Sequence, residues 1–319
     1  MSNSSKQNNQ QVTGVVHHEV GPDSAGQRLD NYLLKYISGV PRSHIYRLIR
    51  TGQVRVNGGR CKPTRRLQDG DTVRVPPLVQ SSSSQVPDAV VAVTEASIVT
   101  ENDDVIVFNK PAGLAVHAGS GLAFGLIDAI RQSRGDAHLE LVHRLDRGTS
   151  GVLLVGKRRS VVTHYQECFR SGQTRKQYQA IADGVWQASG LRVESRLLKF
   201  QERGGQRRVV VDPSGKRAIS HFTMAESLGA MASLLQIEIE TGRTHQIRVH
   251  AASAGHALVG DELYGDKRVN QRYRQFGLKR MYLHAARLQV DDVDVSVEPA
   301  AEWQRALITL RQQPTSGLT

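Results

Sequence analysis

Cysteine is nearly missing from this chain: Cys61 and Cys168 are the only two in 319 residues. They are too few and too far apart for a disulfide framework or a cysteine metal site. Long apolar runs are missing as well. No segment approaches the roughly 18 consecutive apolar residues that a membrane span requires, and the Ser/Asn/Gln-rich start lacks the basic-then-apolar order of a secretory leader. The expectation is a cytoplasmic protein with no membrane partner. Phosphate signatures are also wanting: Gly119 to Gly125 is one residue too long for a dinucleotide fingerprint, and no Walker A sequence occurs. His245 and His250 stand five apart with no Glu between them, rather than the four that would aim both rings at one metal, so no metal is expected. Acids are scarce beside bases. With 30 Asp/Glu against 42 Lys/Arg, the formal charge is +12 and the pI about 10.0, an excess that attracts polyanions. Nucleic acid is the leading partner; the competing membrane-surface reading lacks a long basic amphipathic helix.

A length of 319 residues favours two domains. Residues 1–16 are polar and read as a disordered start. In 17–78, Leu29, Tyr32, Leu33, Tyr36 and Ile37 recur at helical spacing. Pro41 and Ser43 open a second short helix carrying Ile45, Leu48 and Ile49, which closes near Gly52. A strand at Val54 to Val56, the turn pair Asn57-Gly58, a basic stretch from Arg60 to Arg66 and a last strand after Gly70-Asp71 follow. This region holds eleven Lys/Arg against five acids, so half the formal excess sits in about a fifth of the chain. Pro76-Pro77 and Ser81 to Ser84 mark a flexible linker over 79–97.

Over 98–312 strands are interspersed with helices. The pattern predicts strands at Val105–Phe108, Val152–Val155, Tyr178–Ala182, Val209–Val211, His221–Met224 and Leu234–Ile239, and helices at Ala123–Ser133, Ser160–Arg170 and Thr244–Ala254. Regular strand-helix alternation is absent, so the fold class is α+β with a mixed, mostly antiparallel sheet. Residues 313–319 read as a disordered tail.

Three segments carry candidate chemistry. Leu141 to Gly151 packs His143, Arg144, Asp146, Arg147, Thr149 and Ser150 between apolar runs, so a rigid scaffold can hold its polar groups. Taken alone, Asp146 reads first as a carboxylate bracing the loop through Arg144 or Arg147, and two further segments shift that balance. Lys176 and Tyr178 open a strand, where the ring is either a core tyrosine or a flat face for a nucleobase. In Thr241 to His250, Gly242 ends a strand, Thr244 is placed as helix N-cap, and Arg248 sits one turn in.

The phrase RLDNYLLKY…SHIYRLIRTGQVRVNG…DGDTVRVP resembles the S4 RNA-binding domain. Behind it, HRLDRGTSG, the K-x-Y of Lys176 and Tyr178, and GRTHQIRVH, in this order, resemble the RluA family of pseudouridine synthases from Gln27 to about Leu310. The resemblance implies an RNA isomerase that modifies 23S ribosomal RNA, naked or in a large-subunit assembly intermediate. By position, it implies Asp146 as catalytic carboxylate, Tyr178 packed on the target base, Arg248 paired with Asp146, Ile247 lining the pocket, and Arg144 filling the gap left by a flipped uridine. Arg147 and Lys176 join the RNA-contacting set. The isomerisation is redox-neutral, so no cofactor is expected, and a monomer is expected because no surplus apolar surface stands out. Two other classes compete. A catalytically silent RNA-binding assembly factor would gain little from keeping Asp146, Tyr178 and Arg248 together; a nucleoside hydrolase would share the flipped base but release free uracil.

Overall fold

The computed structural model describes residues 11–12, 14–37, 40, 42–77, 79–80, 85–119, 122–187, 190–201 and 207–313. Pro41, Ser81 to Ser84, residues 1–10 and residues 314–319 lie outside these, and with them much of the expected disordered start, linker and tail.

In the N-terminal part, strands β1 (Gln11–Val12) and β2 (Val16–Glu19) precede helices α1 (Leu29–Tyr36) and α2 (Arg42–Arg50), then β3 (Arg55–Val56), β4 (Thr72–Val75) and β5 (Val79–Gln80). The helical spacing of Leu29, Tyr32 and Leu33 turns them onto one face, where they meet Ile45, Leu48, Ile49 and Val73 in a core of their own. Asp30 ties the helices together: it accepts from Arg28 Nη2 (2.7 Å) and from Tyr46 Oη (2.6 Å). The Arg28 bond leads in holding its carboxyl down to about 2. Asn57 and Gly58 both adopt positive φ, +50° and +76°, the conformation a tight hairpin turn demands. The three-stranded sheet runs β2-β4-β3. The β1–β5 pair falls in stretches that the sequence reads as disordered start and linker.

The linker reading also misses α3 (Asp88–Ala96), which follows Pro87. Gln132 secures the entry to it, accepting from the Val86 N–H (2.8 Å) and donating to the Val86 carbonyl (3.1 Å). Thereafter come β6 (Ile98–Glu101), β7 (Val105–Lys110), α4 (Leu126–Arg134), β8 (Glu140–Leu141), β9 (Ser150–Gly156), α5 (Arg159–Ser171), β10 (Thr174–Asp183), β11 (Leu191–Gln201), β12 (Arg207–Val211), β13 (Lys216–Leu228), β14 (Ala232–Ile239), α6 (Gln246–Ser253), α7 (Lys267–Gln275), β15 (Leu283–Val290), β16 (Val293–Ser296) and α8 (Ala301–Arg311). The fold is α+β, as expected. Its eleven-stranded sheet has the path β12-β11-β13-β14-β10-β15-β9-β7-β6, with β16 on β15 and β8 on β9. Among the described residues β9 and β15 form the one parallel pair.

All seven residues of β9 are buried, which explains its continuous apolar run. At its start Gly151 has φ +112°, and a Cβ there would lie 2.2 Å from the Ala285 carbonyl oxygen. Only glycine lets β9 and β15 approach so closely. This approach brings the loop before β9 beside β10 and β14, since β14, β10, β15 and β9 are consecutive in the sheet.

Candidate active site

A cleft of about 120 Å³ opens where these four strands meet the turn into α6. Arg144, Leu145, Asp146 and Thr149 line it from the loop before β9, Tyr178 from β10, and His245, Ile247 and Arg248 from the turn and first helical turn of α6. Leu145 is buried beneath the loop, and the Thr149 N–H donates to the Asp146 carbonyl (3.1 Å). Lys110, buried at the end of β7, donates from Nζ to the Leu114 (2.8 Å), Pro111 (2.9 Å) and Arg147 (3.4 Å) carbonyls. Burial pushes this ammonium down to about 7, against the pull of the Asp146 charge. On the other flank Ser150 Oγ lies 2.9 Å from His284 Nδ1, while His284 Nε2 reaches the Val297 carbonyl (3.0 Å). The carbonyl can only accept, so Nε2 carries the proton and Ser150 donates to Nδ1. The loop carrying Asp146 is thus fixed on its C-terminal side, at Arg147 and Ser150.

Asp146 Oδ2 is 3.2 Å from Arg248 Nη1, and 20% of the Asp146 side chain is exposed. Arg248 does not depend on Asp146 for its place. Asp261, fully buried, accepts from its Nε (2.7 Å) and Nη2 (2.8 Å), a two-point grip that fixes the guanidinium plane. Burial, the largest single influence, lowers the Arg248 pKa, but the bonds to and charge of Asp261, together with those of Asp146, outweigh it and the net shift is upward. Asp261 is itself oriented by the Leu263 N–H (2.9 Å). The sequence gives no hint of it, because an isolated acid in a loop carries neither periodicity nor a motif.

His245 also faces the carboxylate, with Nε2 3.7 Å from Asp146 Oδ2, beyond a hydrogen bond. The Val209 N–H donates to Tyr264 Oη (2.9 Å), and that hydroxyl is 2.7 Å from His245 Nδ1. The network assigns the phenol as donor to Nδ1, which leaves the imidazole proton on Nε2, toward Asp146. Burial pushes the His245 pKa down, opposed by the Asp146 charge. His245 occupies the left-handed region (φ +54°), uncommon for a side chain of this kind. It is the N-cap of α6; the expected cap, Thr244, is not. Gln246 explains this local geometry. Its Oε1 accepts from Thr241 Oγ1 (2.7 Å) and the Arg243 N–H (3.0 Å), and its Nε2 donates to the Ile219 carbonyl (2.8 Å) and Ser220 Oγ (3.0 Å). Gln246→Leu would leave several of these groups buried and unpaired at about 1–3 kcal/mol each. We expect its thermal midpoint to fall by roughly 5–10 °C in a calorimetric scan; an unchanged midpoint would mean the turn holds itself.

A shift of register between β10 and β15 falls at Gln177/Tyr178, and such bulges re-aim side chains. Tyr178 lines the cleft, and burial, with the Asp146 charge, pushes its phenol upward, so it stays neutral. Ile247, buried, forms part of the floor, and Arg144 is exposed at the rim. Two expected site residues stand apart. Arg147 donates from Nε to the Gly113 carbonyl (2.9 Å) and is not in the cleft lining. Lys176 lines a neighbouring cavity instead. His143, in the same motif, accepts the Leu154 N–H through Nε2 (3.1 Å), and burial followed by the Lys176 charge pushes it to about 3, so it is a neutral brace. Among the described residues no cluster of metal-ligating side chains occurs, and no helix is long and apolar enough to cross a membrane.

Comparison with known proteins adds to this geometry. The family model "RNA pseudouridylate synthase" matches residues 104–253, and the S4 domain model matches 27–73. A protein of Pasteurella multocida named ribosomal large subunit pseudouridine synthase C is 43% identical over 311 residues, 93% of this chain and 94% of its own length. Proteins of the same name from Haemophilus influenzae and Yersinia pestis are 44% and 45% identical over 88% and 85% of this chain, and over 88% and 86% of their own lengths. Among solved structures, human RNA pseudouridylate synthase domain containing 4 superposes with a TM-score of 0.59 at 22% identity, covering 71% of this chain and 98% of its own. Human RNA pseudouridylate synthase domain containing 1 gives 0.54 at 24%, covering 68% and 95%. These two share the fold.

Proposed function

The chain belongs to the RNA pseudouridylate synthase family and is an isomerase acting on ribosomal RNA; from that premise we propose that it converts specific uridines of 23S ribosomal RNA to pseudouridine, with Asp146 as the catalytic carboxylate and the target base flipped into the cleft. The observation that supports this most is the placing of Asp146 in an open cleft beside an arginine already neutralised by another acid. Asp261 holds Arg248, so Asp146 stays available to the substrate.

The reaction breaks the bond between N1 and C1′, turns the ring, and joins C1′ to C5. C5 then loses its proton and N1 gains one, so the exchange balances without an oxidant. The base must leave its helix first, at a cost of a few kcal/mol. Tyr178 is positioned to cover the extruded ring, and Arg144 at the rim to fill the vacated stack. Arg248 holds the Asp146 carboxylate from one side, where the His245 ring also faces it. The basic N-terminal unit supplies affinity along the RNA, and the protein acts as a monomer.

The test uses large-subunit ribosomal RNA tritiated at C5 of uridine. The protein releases tritium without free uracil; tight binding with no release would indicate a silent binder, and free uracil a hydrolase. On the same RNA, Tyr178→Ala loses the stacking platform, worth roughly 1–3 kcal/mol, and kcat/KM falls about 5- to 150-fold. An unaltered kcat/KM would place the base elsewhere.

A further inference from the structure

Beside the cleft lies a larger cavity, about 410 Å³, and the two share Arg144, Tyr178, Ile239, Gly242 and Arg243. Lys176 lines only the second. It is 7% exposed, and lysine is almost never so buried unless paired. Its Nζ donates to the neutral Thr174 Oγ1 (2.8 Å) and lies 5.9 Å from the Phe169 ring centroid. Among the described residues no carboxylate pairs with it. Two more cations on this wall, Arg144 and Arg243, are exposed and likewise have no acidic partner among the described residues. The wall's other arginines, Arg170 and Arg287, are paired with Glu167 and Asp294, and its one acid, Glu240, is engaged by His221 Nε2 (2.8 Å).

Keeping an ammonium unpaired in such a site costs stability, and burial pushes its pKa down. A core requires no such group. The arrangement makes sense if an anion supplies the missing charge when it arrives, and the shared wall points to its source: a strand that delivers a base past Tyr178 has its neighbouring nucleotide within reach of Gly242 and Arg243. We infer that this cavity is a phosphate subsite, in which Lys176, with Arg243, receives the phosphodiester adjoining the target uridine. The inference rests on the RNA-substrate reading above. It makes Lys176 a positioning residue that registers the strand before chemistry.

The test replaces Lys176 by Met in the full chain and reads three quantities on a large-subunit ribosomal RNA transcript. Affinity falls about tenfold, the loss of one charge-assisted bond, and appears in KM more than in kcat. The slope of log affinity against log salt becomes shallower by about 0.7, one phosphate fewer on a single strand. The thermal midpoint rises, because an uncompensated buried charge has gone. Arg243→Gln, on the exposed rim, also makes the salt slope shallower while its midpoint stays constant. A Lys176→Met protein that melts lower or fails to fold, or that binds with unchanged affinity and salt slope, overturns the inference and makes Lys176 a structural group. The binding and melting readouts need no turnover, so they decide this point whether or not the parent protein releases tritium.

Discussion

Asp146→Asn is expected to lower tritium release by at least about 10³-fold, within the range attributed to a lost acid-base or nucleophilic group, while RNA affinity holds or improves. Affinity is not expected to suffer, because a carboxylate facing a polyanion opposes binding. Folding should survive as well, since Arg248 keeps its two bonds to Asp261 when Asp146 loses its charge. A filter-binding isotherm and a melting curve measured beside the rate separate these effects. Loss of affinity in proportion to rate would mean that Asp146 shapes the RNA site rather than acting in it.

Asp261→Ala should damage both stability and chemistry. The substitution leaves the Arg248 guanidinium, with 11% of its side chain exposed, with Asp146 as its one remaining acidic partner among the described residues. Breaking a buried ion pair from one side typically costs about 3–5 kcal/mol, so a midpoint lower by roughly 10 °C or more is expected for a domain of this size. Chemistry falls for a separate reason: an unanchored Arg248 swings to Asp146 and engages the carboxylate that the substrate requires. Asp261→Asn keeps the shape and restores part of the stability but little of the rate, which a purely structural role would not produce. Normal melting and turnover in Asp261→Ala would show that Arg248 needs no anchor.

Much of this molecule is legible in its sequence, and the exceptions have physical causes. Asp146 and Arg248 lie 102 positions apart and meet at 3.2 Å; the motifs around them single out each residue, and the resemblance implies the pair. The α+β class follows from apolar runs such as Val152 to Val155, which are buried along their length in β9. Asp261 and Tyr264 are illegible because their roles arise when a loop folds back onto α6. His245 reads from its spacing only as a metal ligand to be excluded, and its left-handed backbone depends on Gln246 bonding across to β13. That same contact makes Thr244 a misleading N-cap. Lys176 and Tyr178, two apart on one strand, share a face by simple alternation, and both line the larger cavity; only Tyr178 also reaches the cleft, beyond the register shift at Gln177/Tyr178. The helix Asp88–Ala96 is hidden because proline and serine nearby make the stretch read as linker.

The central claim, that a uridine leaves its helix to meet Asp146, is tested most directly by a crystal structure of the Asp146→Asn protein with an RNA stem-loop containing a uridine that the parent modifies. The account predicts that base outside the helix, packed on Tyr178, with the substituted side chain at position 146 against its ribose. A target uridine still stacked in its helix, or seated away from position 146, would contradict it.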